Sequence, residues 1–191
     1  MFGTPLVTQT SIEQRQVPWL VEACLGFVEK YGLRMEGVYR KSASTSETKL
    51  IHHEISLRSQ FRSYNGPLGN DSIDVSAITS ILKQYLRDLP NPVICFESYP
   101  AWIEAIKNRD VDRRVSAIQH ALTLMPFCHQ LTLELLVRHL NLVEKHSDAN
   151  RMNSKNLAVV FGPTLLKSPE GPPGQEFFDM GHKSNIVDFL I

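Results

Sequence analysis

Between residues 78 and 89 the apolar side chains Ile78, Ile81, Leu82, Tyr85, Leu86 and Leu89 fall at i, i+3, i+4, i+7, i+8 and i+11. A helix puts such a set on one side, because successive residues turn by about 100°. Leu89-Pro90-Asn91-Pro92 closes the run, since a residue before proline avoids the α region. The pattern predicts a helix over roughly residues 73–88, with one side that other elements have to cover.

The same period recurs on both sides of it. Pro18 suits the first turn of a helix, where its missing N–H is not needed. Leu20, Cys24, Phe27, Val28 and Tyr31 then make one apolar face, and Gly32 suits its stop. Ser44 and Glu47 have capping-box spacing, so a helix is expected from there to about Ser59, with Leu50, Ile51, Ile55 and Phe61 inward. Trp102, Ile103 and Ile106 mark a helix over about 97–108. Val111, Val115, Ile118, Leu122 and Met125 mark another over about 110–125, stopped by Pro126. In the segment 129–146, Leu133, Leu136, Val137, Leu140 and Val143 are joined by Leu135 and Leu142, the wide apolar arc of a central buried helix.

For residues 152–163 the period does not separate a buried strand from a short helix. The helices on either side, with Asn153 or Ser154 as a cap, favour a helix that Gly162-Pro163 would end. Residues 1–16 read as a polar, irregular lead-in. Asn65-Gly66-Pro67, Gly69-Asn70-Asp71 and the segment 167–176 read as loops. A last helix, from near His182, is cut at Ile191 in mid-pattern, as expected of a domain excised from a larger multidomain protein. The expectation is an all-α fold, with one multi-helix domain over residues 17–191.

Bulk properties remove several functions. Lys plus Arg and Asp plus Glu both number 20, so no global field draws nucleic acid or an anionic membrane, and any basic site is local. No apolar run nears the ~18 residues of a membrane helix, so no integral membrane segment is expected. The first fifteen residues lack a basic start followed by a long apolar run, so no secretory signal is expected there. Cys24, Cys95 and Cys128 are isolated, which fits free thiols in a reducing, cytoplasmic setting. His52 and His53 point about 100° apart on a helix and cannot grip one ion together, and nothing completes a site with Cys128 and His129. No metal site is expected. Neither a P-loop nor a nucleophile elbow is present, so if chemistry happens here, most of the reacting machinery lies in another molecule.

Two local basic features are left. Lys83 and Arg87 lie away from the apolar stripe of their helix and, four residues apart, repel by a few tenths of a kcal/mol. They read either as an ordinary solvated helix face or as a paired cationic contact for an acidic or phosphate-bearing partner. The second feature is Glu36-Gly37-Val38-Tyr39-Arg40-Lys41-Ser42-Ala43, between the helix that stops at Gly32 and the one that Ser44 opens. Gly37 permits a tight turn, and Val38 and Tyr39 can pack inward and leave Arg40 projecting.

Three stretches then stand together: Gly37-Val38-Tyr39-Arg40-Lys41-Ser42, Leu82 through Pro92, and Asn156-Leu157-Ala158-Val159-Val160-Phe161-Gly162-Pro163. In this order and spacing they resemble the three signature boxes of the Rho GTPase-activating (RhoGAP) domain, and the resemblance runs from Phe2-Gly3 to the last helix. It implies about nine helices and binding to a GTP-loaded Rho-family small GTPase, of the Rho, Rac or Cdc42 type, whose GTP hydrolysis is accelerated. It implies that Arg40 is an arginine finger on a loop supported by Gly37, Tyr39, Lys41 and Ser42. Lys83 and Arg87 match the basic pair that supports the loop and meets the GTPase, and their solvent-facing placement suits docking. Asn156, Val159 and Pro163 match further GTPase contacts. No cofactor of its own is implied: GTP and Mg²⁺ belong to the partner, so the domain is an activator and not itself an enzyme.

Two rival readings are a catalytically silent GTPase-binding module, which Arg40 disfavours, and a phosphoinositide site at Lys83, Arg87 and Lys155, which the zero net charge disfavours. One departure is Ala43, where the family commonly has glycine. If that position needs φ > 0, alanine is strained there by roughly 1 kcal/mol.

Overall fold

The stripe of residues 78–89 is buried along its whole length: Ile78, Ile81, Leu82, Tyr85, Leu86 and Leu89 have no exposed surface. The computed structural model describes residues 1–58, 74–169 and 175–191. Every regular element among them is a helix. In chain order these are α1 (Leu6–Glu13), α2 (Trp19–Tyr31), α3 (Thr45–Arg58), α4 (Val75–Arg87) and α5 (Tyr99–Lys107), then α6 (Val111–Thr123), α7 (Phe127–Glu144), α8 (Ser147–Asn150), α9 (Ser154–Leu165) and α10 (Gln175–Leu190). The all-α expectation is met, with ten helices among the described residues.

The stripe belongs to α4, which sits at the centre against α2, α3 and α9. The Asp74 carboxylate caps it by accepting the Ser76 N–H at 2.9 Å. Helix α7 packs on α1, α2 and α9, and α10 lies along α9 and α5. Of the face expected for α2, Leu20, Cys24, Phe27 and Val28 are buried, while Tyr31 lies near the surface. Asn153 caps α9, its carboxamide oxygen accepting the Asn156 N–H at 2.9 Å, which settles that stretch as helix. No helix among the described residues is long and apolar enough to cross a membrane.

Several expectations need correction. Residues 1–16 are not irregular: they hold α1, with Leu6 fully buried against α7. Its period was hidden because Val7 and Ile12 face solvent while Gln9 and Thr10 are buried. The Thr10 hydroxyl is satisfied by the Leu6 carbonyl at 3.0 Å. Gly32 stops α2 in a right-handed conformation, φ −114°, so it is not needed for a left-handed turn. Its role is spatial, because a Cβ there would lie 2.7 Å from Val75 Cγ1.

Helix α9 runs past Gly162-Pro163 to Leu165. Pro163 offers no N–H to the Val159 carbonyl, but Val159 lies at the surface, where water can serve. Val111 and Val115 are exposed, so the inward face of α6 begins only at Ile118. Helix α10 starts at Gln175, one turn and more before His182. The expectations for Phe61, for the turns over residues 65–71 and for the side chains of Glu47 and Leu50 lie outside the described residues.

At Gly162 the backbones of α9 and α10 come close together. A Cβ built on it would sit 3.0 Å from the Ser184 nitrogen and 3.1 Å from the Lys183 carbonyl carbon, and backbone atoms cannot swing aside. Gly162→Ala should therefore destabilise the protein by about 1–3 kcal/mol through overpacking, a fall in Tm of roughly 3–10 °C for a chain of this size. An unchanged melting temperature would show that the two helices can part without loss.

Candidate functional site

The loop between α2 and α3 is built from its backbone outward. Gly37 takes φ +73°, which glycine adopts freely. Its N–H donates to the Asn150 carbonyl at 2.8 Å, and its own carbonyl accepts the N–H groups of Arg40 and Lys41, both at 2.9 Å. Asn150 is fully buried at the end of α8. Its amide nitrogen donates to the Leu33 and Val143 carbonyls at 2.8 Å, and its amide oxygen accepts the Met152 N–H at 2.8 Å. One asparagine thus ties the start of the loop to the ends of α7 and α8.

Val38 and Tyr39 point inward, as the sequence suggested, with 2% and 0% exposure. Tyr39 has φ +68°. For a bulky L-residue this left-handed conformation is unfavourable by roughly 1–2 kcal/mol, so the surroundings have to impose it. They act on every part of the residue. The hydroxyl meets His139 Nε2 at 2.6 Å, and the ring packs edge-on to Phe161 of α9, centroids 4.9 Å apart. The carbonyl accepts the Lys83 ammonium at 2.5 Å. That carbonyl and the Arg40 N–H share one planar peptide unit, so Lys83 on one side and the Gly37 carbonyl on the other fix the plane from which Arg40 departs. Arg40 itself is exposed. Among the described residues its guanidinium makes no hydrogen bond or ion pair.

Lys83 overturns an expectation. It is 8% exposed, not solvent-facing. The helical wheel placed it correctly away from the α4 stripe, but the Arg40 loop covers that side of the helix. Burial, with the nearby Arg87 charge adding to it, holds its pKa below the usual lysine value. Arg87, one turn on, is exposed as expected, and its carbonyl accepts the Lys167 ammonium. Between α3 and α4 a groove of about 580 Å³ opens beside the loop, lined by Ser42, Lys49, His52, Lys83, Gln84 and Arg87 among others.

Ala43 needs no positive φ: among the described non-glycine residues only Gln14, Tyr39 and Arg151 have one. The backbone strain lies at Tyr39 instead. Lys41 reaches Glu36 at 3.9 Å across the surface, a weak contact, and Ser42 is exposed. On α9, Val159 is 67% exposed and Pro163 is exposed as well, while Asn156 is half-buried. The Asn156 amide donates to the Arg151 carbonyl at 3.1 Å. At positions i, i+3 and i+7 these three lie along one outward side of α9, whose inner side carries Leu157, Phe161 and Leu165.

Three residues that matter here were not singled out from the sequence: Glu29, His139 and Asn150. His139 carried a signal, because it lies three residues after Leu136 and four before Val143, a polar group on the apolar face of α7. Its Nδ1 meets Glu29 Oε1 at 2.8 Å. Burial lowers its pKa below the usual value and outweighs the opposing effect of the Glu29 carboxylate. The Tyr39 hydroxyl is pushed well up, first by burial and then by Cys24 and Glu29. Burial also pushes the Cys24 thiol up. Cys24 and Cys95 are buried free thiols, and Cys128 is half-buried. Among the described residues no three His, Cys, Asp or Glu side chains gather as a metal site.

The RhoGAP domain family model matches residues 18–170, the segment that contains the loop, α4 and α9. The chain belongs to the RhoGAP family. It is 39% identical over 183 residues to the Probable Rho-type GTPase-activating protein 4 of Schizosaccharomyces pombe, covering 96% of this chain and 19% of that protein. It is 35% identical over 186 residues to rat Beta-chimaerin, covering 97% of this chain and 62% of the relative. The crystal structure of human Rho GTPase activating protein 15 superposes with a TM-score of 0.89 at 28% identity, over 98% of this chain and 86% of that one. The chain therefore spans less than two thirds of the length of these two relatives.

Within this RhoGAP domain, Lys83 and Arg87 should respond differently to truncation. Lys83→Ala strands the Tyr39 carbonyl and empties buried space, for a loss of about 1–3 kcal/mol of stability. Arg87→Ala should stay within about 0.5 kcal/mol of wild type. Equal melting temperatures for the two variants would contradict this assignment. His139 makes a pH prediction. A base whose folded pKa is depressed stabilises the fold fully above its unfolded value, near 6.5. That stabilisation is lost as pH falls through the unfolded value towards the folded one, because the unfolded chain takes the proton first. Melting measured between about pH 7.5 and 5.5 should thus fall less steeply for His139→Gln than for wild type. Identical slopes would show that His139 does not titrate with unfolding.

Proposed function

We propose that this domain accelerates GTP hydrolysis by a Rho-family small GTPase, to which it lends Arg40 as an arginine finger. The observation that carries this reading is the contrast at one peptide unit: a backbone pinned on both sides and, beyond it, an exposed guanidinium without an ion pair among the described residues. A surface arginine of no consequence would not require a strained, fully buried tyrosine as its base.

GTP hydrolysis spreads negative charge over the phosphate oxygens in the transition state. A permanently charged guanidinium can fork onto two of them, which an ammonium cannot. Such fingers contribute about 10³–10⁵ in rate, or roughly 4–7 kcal/mol of barrier. A pre-aimed finger adds no reorganisation at the moment of reaction, and docking excludes water from the site. GTP and Mg²⁺ belong to the partner, as does the bond-breaking chemistry. In this reading the exposed Arg87, Val159 and Pro163 and the half-buried Asn156 meet the GTPase, and Lys41 and Ser42 flank the finger. Lys83 acts from beneath, by holding the loop. Localisation and recruitment would come from the partner or from flanking segments of a longer protein, in keeping with relatives such as the 39% identical fission yeast protein, of which this chain spans 19%.

The test is single-turnover phosphate release from purified Rho, Rac and Cdc42 proteins. Wild type should accelerate at least one of them strongly. Arg40→Ala should lose at least about two orders of magnitude of that stimulation, and Arg40→Lys should recover little. Stimulation by Arg40→Ala equal to wild type would remove the finger.

A further inference from the structure

The hydrogen bonds beneath the finger have a direction. The Glu29 carboxylate can only accept, so the His139 Nδ1 that lies 2.8 Å from it must carry a proton. Burial favours the neutral ring, and a neutral imidazole protonated at Nδ1 has its lone pair at Nε2. Nε2 therefore accepts, and the Tyr39 hydroxyl 2.6 Å away donates. The chain of donors runs Tyr39 to His139 to Glu29, from the loop through α7 to α2. Glu29 is about four-tenths exposed and His139 is buried, so the chain starts under the loop and ends at solvent. The groups that face His139 across these elements are Glu29 and Tyr39, with the Cys24 thiol acting on Tyr39.

We propose that Glu29 and His139 are positioning residues for GTPase activation: together they hold the Tyr39 hydroxyl and, through the left-handed backbone of Tyr39, the aim of Arg40. This deepens the proposed function and rests on it. The tautomer is fixed, because the other one would leave the Glu29 carboxylate facing a bare nitrogen. His139 is buried beneath the loop and offers a partner no surface. The effect of Glu29 and His139 reaches the reaction only through the peptide unit that Lys83 and the Gly37 carbonyl grip.

The experiment uses the intact domain with the GTPase that it stimulates best. It measures turnover at saturating domain, affinity for the same GTPase loaded with a non-hydrolysable GTP analogue, and thermal unfolding. Tyr39→Phe removes only the hydroxyl. In His139→Asn the amide reaches the Nδ1 position and leaves the Nε2 position empty, whereas His139→Gln can put an oxygen at the Nε2 position. Tyr39→Phe and His139→Asn should lower turnover about tenfold, with affinity within about twofold of wild type. His139→Gln should keep turnover within about threefold, and Glu29→Ala should lose about threefold to fivefold, again without loss of affinity.

Arg40→Ala runs alongside as the control for the function itself. If it abolishes stimulation while Tyr39→Phe and His139→Asn behave as wild type, the positioning proposal falls and the finger stands. If Arg40→Ala stimulates normally, the underlying function falls first. Equal losses for the Asn and Gln variants, matched by lower affinity and a lower melting temperature, would reduce His139 to a core residue and overturn the proposal.

Discussion

A single peptide unit, the one between Tyr39 and Arg40, sets the requirements for the helices around it. Its carbonyl takes the Lys83 ammonium and its N–H takes the Gly37 carbonyl. The tyrosine on its N-terminal side is held in a left-handed conformation that it would not adopt in a free chain. Maintaining that conformation takes more than one contact. A typical hydrogen bond is worth about 1 kcal/mol net, comparable with the strain, so several contacts are needed to leave the loop in one state. Hydroxyl, ring and carbonyl of Tyr39 are all engaged.

These contacts come from three helices distant in sequence, with Lys83 on α4, His139 on α7 and Phe161 on α9. Glu29 on α2 supports them by holding His139. The apolar faces that bury α4 against α2 and α9, and α7 against both, therefore also set where these side chains end. Asn150 repeats the device one step earlier in the loop, by joining Gly37 to the ends of α7 and α8. A buried lysine is a costly way to satisfy one carbonyl, and its burial depresses its pKa. Its long stem reaches from α4 to the underside of the loop. Rigid packing at the base leaves freedom only at the tip, where Arg40 meets solvent.

Much of this was legible in the sequence, for identifiable reasons. The α4 stripe and the buried Leu133, Leu136, Leu140 and Val143 of α7 depend on local periodicity, a property of consecutive residues, whereas Leu135, Val137 and Leu142 of the expected wide arc are only half-buried. Three motif boxes in order pointed to the family, and the resemblance drew attention to Arg40 and Lys83. What was not legible depends on neighbours. A helical wheel shows which side of α4 Lys83 occupies, but it knows nothing of the loop that folds over that side. Helix α1 escaped notice because its buried positions include Gln9 and Thr10, which satisfy their polar groups locally. Ala43 drew attention through its departure from the family pattern, yet the positive φ sits at Tyr39, four residues earlier, a side chain type that gives no hint of it. His139 and Glu29 are 110 residues apart, and no spacing rule connects them.

The central claim is that Arg40 is held ready for charge that exists only in the transition state. Its direct measure is the affinity of wild type and Arg40→Ala for one GTPase in two states. One state carries a non-hydrolysable GTP analogue, and the other carries GDP with a fluoride mimic of the transferring phosphoryl group. Binding that is specific to the transition state predicts that wild type gains at least about tenfold on passing from the first state to the second, while Arg40→Ala gains little and binds the first state almost as well as wild type. Equal gains by both proteins would contradict the claim, because the guanidinium would then be absent from the charge it is held to meet.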